Sequence, residues 1–324
     1  MDQFLQNFFS ILCKKTDVYL QSCSIMIDPI VFSIVIPTYN RAHLISSTIE
    51  SVLSQTYTNF EVIIVDDGST DNTEEVIQKF LSDKVRYYKK SNGERAAARN
   101  FGTRLAKGDY INWFDSDDIM LPDHLKEAAD ALQKYNKPEV LATGHIYRDT
   151  SGKTFQASPY PSDLAAQMYK GNPMANSPVI VGRDIALANP FNEDRELSGS
   201  EDYELWMRLA SQYPIYTSPE ITVAIISHDE RSILTMTGMN QLVTRYTKFI
   251  HYTISDPGVV ALLGDHKNTF KMKNYLLLAV ELANNNHPKE GIKYLRMSFS
   301  SSPKLILERG FYAFLKHYIR HGLS

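Results

Sequence analysis

Two apolar runs, VFSIVIP from Val31 and FEVIIVD from Phe60, flank a stretch whose apolar positions fall at helical spacing. Uninterrupted runs rich in β-branched residues belong to strands covered on both faces, the habit of parallel sheets. Pro37 is read as the end of the first run, and Leu44, Ile45, Thr48, Ile49, Val52 and Leu53 mark the helix face that follows. The rhythm continues. TEEVIQKFL reads as a helix opened by a capping box from Asp71 to Glu74, and VRYYKK as a third strand. ERAAARNFGTRLAKG reads as a helix closed by Gly108, and YINWFD as a fourth strand. Such β-α-β-α alternation predicts an α/β fold with a doubly wound, mostly parallel sheet flanked by helices. Ligands of these sheets bind in the crevice beyond the carboxyl ends of the strands. The polar clusters TYN, DDGS and DSDD all fall at such ends.

The regularity weakens between about 140 and 230, where SPYPSD, GNPMANSP and ANPFNEDRELSGS read as loops around short strands and the helix EDYELWMRLASQY. This half is expected to shape the pocket for a second ligand. Beyond about 240 the chain reads as helix: QLVTRYTKFIHYTI, KNYLLLAVELANNN, KEGIKYLRMSF and a terminal KLILERGFYAFLKHYIRHG. The pair around Pro288 has the form of a tetratricopeptide unit without a second copy, so ordinary helical packing is expected. The expected organisation is an N-terminal extension over 1–30, a principal domain over 31–235 divided into halves 31–120 and 121–235, and a helical C-terminal region over 236–324. In the extension, Phe4, Leu5, Phe8, Phe9 and Leu12 form the stripe of a short amphipathic helix.

Composition excludes some classes of function. A formal charge of −3 and a pI near 6.3 leave no global basic field, so nucleic acid is not an expected partner. Cys13 and Cys23 are the only cysteines, too few for a disulfide framework, and fit a reducing, cytoplasmic setting. The early patch FLQNFFSILCKK is interrupted by Gln6 and Asn7 and preceded by Asp2, which makes it a poor signal peptide. No later window reaches the roughly 18 apolar residues of a spanning helix. The chain is therefore expected not to be integral to a membrane.

The chemistry concentrates in four places. WFDSDDIM carries Asp115, Asp117 and Asp118 within four positions, directly after a buried strand. Two carboxylates about 4 Å apart repel by roughly 4 kcal/mol at an effective dielectric near 20, so compensating positive charge is expected nearby. Hard oxygen ligands of this kind suit Mg²⁺ or Mn²⁺, especially when substrate phosphates complete the coordination; an acidic turn exposed to water is the plainer reading. Asp66 and Asp67 end the second strand run; turn chemistry accounts for one of them, and a strand-end carboxylate such as Asp67 can accept a hydrogen bond from a nucleotide base. Arg95 and Arg99 stand near the start of a helix, where the dipole disfavours cations, so a phosphate-facing role competes with simple ion pairing. Glu201 and Asp202 open the helix EDYELWMRLA, where first-turn acids also serve the dipole.

Three segments in this order and spacing strongly resemble glycosyltransferase family 2: SIVIPTYNRAHLISSTIESVLSQTYTNFEVIIVDDGSTDNT, ERAAARNFGTRLAKGDYINWFDSDDIMLPDHL and GSEDYELWMRLA. The resemblance covers roughly residues 32 to 230. It implies the GT-A fold, in which a Rossmann-like nucleotide-binding half joins an acceptor-binding half, and transfer of a sugar from a nucleoside diphosphate donor with inversion. By that resemblance Pro37, Thr38, Tyr39 and Asn40 lie beside the base, Asp67 contacts it, and Arg95 and Arg99 lie near the donor. The DxD signature falls on Asp115, Ser116 and Asp117, with an alternative register on Asp117 and Asp118; these acids hold the metal or the ribose. Asp202 would be the base and Glu201 its assistant. His228 lies where related enzymes place a His or Arg facing the diphosphate or metal, with Arg231 nearby, although a loop histidine is as readily explained by solvent exposure.

The resulting expectation is an inverting, Mg²⁺- or Mn²⁺-assisted hexosyl- or N-acetylhexosaminyltransferase that carries out a single displacement. Uridine is the default nucleotide by family frequency, with thymidine and guanosine open. The run of spanning helices of polymer-exporting synthases is missing, so a soluble enzyme adding one sugar to a saccharide or lipid-linked saccharide is expected. It would work in the cytoplasm or peripherally at the cytosolic membrane face. The final FYAFLKHYIRHG, aromatic and basic, fits either an interfacial helix or a packing helix. Two other classes compete. Sugar nucleotidyltransferases need a Gly-rich basic loop after the first strand, whereas PTYNRAHL has no glycine. A non-catalytic nucleotide-sugar-binding relative would keep the binding motifs, but the intact Glu201-Asp202 pair weighs against it.

Overall fold

A computed structural model describes residues 29–228 and 238–321; the stripe at 4–12, both cysteines and Arg231 lie outside the described residues. Residues Val31–Ser324 form one compact unit. Among the described residues the strands are β1 (Phe32–Thr38), β2 (Phe60–Asp66), β3 (Val85–Lys89), β4 (Tyr110–Trp113), β5 (Ile119–Met120), β6 (Val140–Asp149), β7 (Thr154–Ser158), β8 (Val179–Gly182) and β9 (Ile215–Ser227). They form one sheet in the order β3-β2-β1-β4-β8-β6-β9-β5, with β7 hairpinned onto β6. The first four are parallel. Beyond β4 the sheet is mixed: β8 runs antiparallel to both β4 and β6, β9 parallel to β6, and β5 antiparallel to β9.

The register sets the site. Thr38 lies opposite Asp66 and Val35 opposite Trp113, so the chain leaves β1, β2 and β4 along one edge. Pro37 does not end β1. The Val35 carbonyl faces the β4 side and accepts from the Phe114 amide at 2.9 Å. Two residues on, Pro37 faces the same side just past the end of β4, where its missing N–H deprives no partner.

The helices are α1 (Ile45–Leu53), α2 (Thr73–Gln78), α3 (Glu94–Leu105), α4 (His124–Lys134), α5 (Leu164–Gln167), α6 (Arg183–Ala188), α7 (Glu201–Gln212), α8 (Met239–Ser255), α9 (Pro257–Leu263), α10 (Lys267–Asn284), α11 (Pro288–Ser301) and α12 (Arg309–His321). Two sequence expectations about their ends fail. The α2 capping box does not form: Asp71 accepts from the Thr73 and Ala42 amides, and Glu74 pairs instead with Lys89 at 2.9 Å. Helix α3 stops at Leu105, before Gly108, because Ala106 turns extended; Arg86 Nη2 donates to the Leu105 carbonyl at 3.1 Å. Gly102 has a stricter role in α3, since a Cβ there would lie 2.4 Å from Val35 Cγ1 and push the helix off the sheet.

One hydrophobic core runs from the sheet into the helical region. Trp113, Phe191 and Trp206 meet beneath α3 and α7, with the Trp113 and Phe191 ring centroids 4.8 Å apart in an edge arrangement. Tyr203 of α7 then stacks on Phe249 of α8 at 4.7 Å, and Phe270 of α10 closes the cluster. Burying an aromatic side chain contributes about 1.5–3 kcal/mol, so these contacts firmly couple α7 to the C-terminal helices.

Candidate active site

A cavity of about 760 Å³ opens at the carboxyl ends of β1, β2 and β4. Pro37, Thr38, Tyr39, Asn40, Asp67, Arg95, Arg99, Asp115, Ser116, Asp117, Asp118, Glu201 and Asp202 all line it. His228 reaches it through Asp117, with Nε2 and Oδ2 3.0 Å apart. Residues far apart in the chain, from Pro37 to Asp202, therefore line one cavity.

At the end of β2 the two acids divide. Asp66 is fully buried and accepts from the Ser69 amide at 2.7 Å and the Tyr87 hydroxyl at 2.8 Å, the work of a turn. Asp67 accepts through Oδ1 from Lys90 Nζ at 2.6 Å and the Gly93 amide at 2.9 Å. Asp67 itself lines the cavity. Across from it, Asn40 ties the β1 loop to this turn: its amide donates to Ser69 Oγ and its Oδ1 accepts from the Thr70 amide. Tyr39 projects beside it, 47% exposed.

The acids after β4 divide likewise. Asp118 is buried; its Oδ2 accepts from Ser177 Oγ at 2.6 Å, and its backbone carbonyl accepts from Thr48 Oγ1 at 2.9 Å. Asp115 accepts through Oδ1 from Arg99 Nη2 at 2.7 Å and from Asn176 Nδ2 at 3.2 Å. Asp117 lines the cavity, with the His228 imidazole against its carboxylate. Among the described residues no group of three or more His, Cys, Asp and Glu side chains is placed to hold a metal. Oxygen and imidazole donors at Asp117 and His228 nevertheless suit a hard divalent ion whose remaining ligands come from diphosphate and water.

Arg99 is the positive charge that the clustered acids require. It is 2% exposed, lies 5.1 Å from the Phe191 ring and donates through Nη1 to Glu201 Oε1 at 3.0 Å as well as to Asp115. Burial disfavours its cation, but Asp115 and Glu201 outweigh that and raise its pKa. Glu201 also takes the amide of Gly199, a residue at φ +89° where glycine fits without strain, and has Arg95 Nε at 3.5 Å. Although burial opposes it, Arg95 and Arg99 hold the Glu201 carboxyl below its usual pKa. The next residue goes the other way. Burial, then the Glu201 charge, push Asp202 up to about 7. Its side-chain partners are the adjacent Tyr203 amide at 2.6 Å and a long 3.4 Å contact from Asn172 Nδ2.

Sequence reasoning missed Lys90, Asn172, Asn176 and Ser177, as well as His145 and Tyr147 on the far wall. Lys90 had a usable signal, since it closes the third strand run VRYYKK at the same edge as Asp67. GNPMANSP carried only the Pro and Asn punctuation of a loop, with nothing to say what the loop faces.

The profile of Glycosyl transferase family 2 matches residues 33–185. An uncharacterized glycosyltransferase of Rickettsia typhi (strain ATCC VR-144 / Wilmington) is 31% identical over 225 residues, covering 65% of this chain and 67% of that protein. The chain belongs to glycosyltransferase family 2. It is also 30% identical over 230 residues to an uncharacterized glycosyltransferase of Rickettsia felis (strain ATCC VR-1525 / URRWXCal2), matching 68% of this chain but only 38% of that longer relative. Among solved structures, residues 1–349 of S. aureus TarS in complex with UDP-GlcNAc superpose with a TM-score of 0.61 at 17% identity, covering 90% of this chain and 92% of that one. The mannosyltransferase PcManGT from Pyrobaculum calidifontis, in complex with GDP-Man and Mn²⁺, gives 0.56 at 16% identity over 91% and 88%. At these identities the likeness is one of fold, the GT-A architecture. Among the described residues no helix is long and apolar enough to cross a membrane.

Proposed function

We propose that this chain is an inverting glycosyltransferase that moves a sugar from a nucleoside diphosphate donor, a uridine nucleotide by preference, to an acceptor hydroxyl on a saccharide or lipid-linked saccharide. The observation that carries the reading is the contrast between Glu201, pinned by two arginines, and Asp202, whose proton affinity is raised at the cavity wall. A base with a pKa near neutrality is suited to accept and release protons at working pH. Asp202 takes the proton of the acceptor hydroxyl as that oxygen attacks the anomeric carbon. The bond to the diphosphate oxygen breaks on the opposite face, and the configuration inverts in one displacement.

The donor lies along the strand ends. Tyr39 and Asp67 take the base, with Asp67 Oδ2 as acceptor, and Asp115 and Ser116 take the ribose side. A Mg²⁺ or Mn²⁺ ion held by Asp117 and His228, with Asp115 or Asp118 as further candidates, would stabilise the charge growing on the leaving diphosphate. The hydrogen bonds to Asp118 favour a supporting part for it, and the Arg99 and Asn176 contacts constrain Asp115. UDP-GlcNAc in the TarS complex and Mn²⁺ in the mannosyltransferase complex are compatible with this arrangement.

The test is a panel of nucleotide sugars, each with Mn²⁺, Mg²⁺ or chelator, read by thermal stabilisation and by sugar release or transfer. A donor at about 100 times its Kd adds roughly 2.7 kcal/mol to the folded state. Metal-dependent stabilisation and turnover with one nucleotide class are expected. Stabilisation without turnover across an acceptor panel would favour a binding-only relative, and no stabilisation by any donor would remove the donor-site assignment.

A further inference from the structure

The outer layer of the helical region carries a surface that the transfer chemistry leaves unexplained. Helices α11 and α12 bury one side each against α10. Tyr294 and Ser298 are buried on α11, with Ser298 Oγ donating to the Met272 carbonyl at 2.6 Å, and Phe314 is buried on α12. Their opposite sides are exposed at three- and four-residue spacing. On α11 that stripe is Lys289, Lys293, Arg296 and Phe299; on α12 it is Arg309, Tyr312, Lys316 and Ile319. The 3₁₀ turn Pro303–Leu307 joins them and exposes Lys304, Ile306 and Leu307. Leu307 is 78% exposed and Ile319 65%, far more than scattered surface apolar residues require.

Charge is concentrated here too. From Pro288 onward the sequence holds seven Lys and Arg against two Glu, in a chain of net charge −3. One of those acids, Glu308, is paired with Lys273 at 2.9 Å and does not neutralise the stripe. Protein interfaces deplete lysine at their centres, whereas basic residues interleaved with aromatic and aliphatic side chains suit a surface of anionic headgroups over an acyl boundary.

We propose that α11, the 303–307 turn and α12 dock this chain on an anionic lipid bilayer. The lysines and arginines meet the headgroups, and Phe299, Leu307, Tyr312 and Ile319 enter the interface. The inference does not depend on the transferase reading. It is tested by flotation of the full chain with vesicles of phosphatidylcholine alone or mixed with phosphatidylglycerol, at low and high salt. Binding is expected only to the mixed vesicles, weakened by salt. Charge-neutralised Lys293→Gln and Arg296→Gln should lower the vesicle partition coefficient by about fivefold each. Leu307→Ser with Ile319→Ser should weaken binding further, while thermal unfolding and nucleotide-sugar stabilisation stay unchanged. No binding of the folded protein to mixed vesicles, or binding indifferent to all four substitutions, would overturn the proposal. So would concentration-dependent self-association that Leu307→Ser abolishes, because it would assign the face to a second copy.

Discussion

The two sides of the cavity treat their carboxylates differently. At the strand ends, four acids are held by groups fixed in the fold: Asp66 by a turn amide and Tyr87, Asp67 by Lys90 and Gly93, Asp115 by Arg99, and Asp118 by Ser177. At the start of α7, Glu201 is held in the same way by Arg95, Arg99 and the Gly199 amide, whereas Asp202 has only the amide of the next residue and one long contact to Asn172. Strong fixed donors hold an acid in one geometry, which suits it to positioning a ligand. An acid in a buried place without a cation of its own keeps its affinity for a proton. Under the proposed function, recognition falls to the first side and proton transfer to the second.

The sharpest way to break this contrast is Asp202→Asn, which keeps the shape and removes the proposed base. Turnover is expected to fall by about 10² to 10⁴, with donor affinity held within a few-fold. Steady-state kinetics alongside nucleotide titration check it, and a variant that keeps near-normal kcat would place the base elsewhere.

Next is Arg99→Met, which cuts the link between the two sides. Loss of the cation leaves Asp115 and Glu201 facing each other across a buried gap, and removing one partner of a buried pair costs about 3–5 kcal/mol. Urea unfolding should show that loss. A shift under about 1 kcal/mol would mean that other donors replace Arg99.

Asp67→Asn is expected to act on recognition alone. A hydrogen bond to a charged group contributes about 1.5–3 kcal/mol, so donor Kd should rise roughly 10- to 100-fold while kcat at saturating donor changes little. A fall in kcat with unchanged affinity would reverse the assignment of the two sides.

The same division explains what could be read from the sequence. Strand ends at this edge are announced by local patterns: β-branched runs stop and polar clusters begin, so TYN, DDGS and DSDD fall at the cavity edge by pattern alone. Local pattern could not tell Asp66 from Asp67, nor Asp117 from Asp118, because the difference lies in distant partners. Ser177, which receives the Asp115 amide and donates to Asp118, is about sixty residues away. The opposite wall depends on such contacts throughout. Asn172 and Asn176 come from an irregular loop, and His145 and Tyr147 from a strand whose register shifts at Gly144. Glu201 and Asp202 look in sequence like any first-turn acids of a helix, and only resemblance to a family singled them out. The capping box failed for a related reason, since Glu74 found Lys89 on the neighbouring strand.

The smallest expected effect is a pH dependence that isolates Asp202 from Glu201. The folded-state pKa of Asp202 is raised to about 7, above an unfolded value near 4. The folded protein therefore binds this proton more tightly than the unfolded chain. The associated stability is fully present below about pH 4 and is lost as pH rises through about 7. Asp202→Asn removes that titration, so its stability relative to the parent should improve between pH 4 and 8. The gain should be on the order of 1–2 kcal/mol, since Asp202 is partly open to screening water. Glu201, held charged by Arg95 and Arg99, shifts downward and contributes in the opposite sense: its stabilisation is present above its unfolded value and lost as pH falls through its depressed one. Urea midpoints of both proteins across this range separate the two acids, and the ascending limb of kcat/KM near pH 7 in the parent supplies the kinetic counterpart. A flat difference between the two proteins would mean that Asp202 is ionised throughout, and the contrast between positioning acids and a proton-accepting acid would then need a different base.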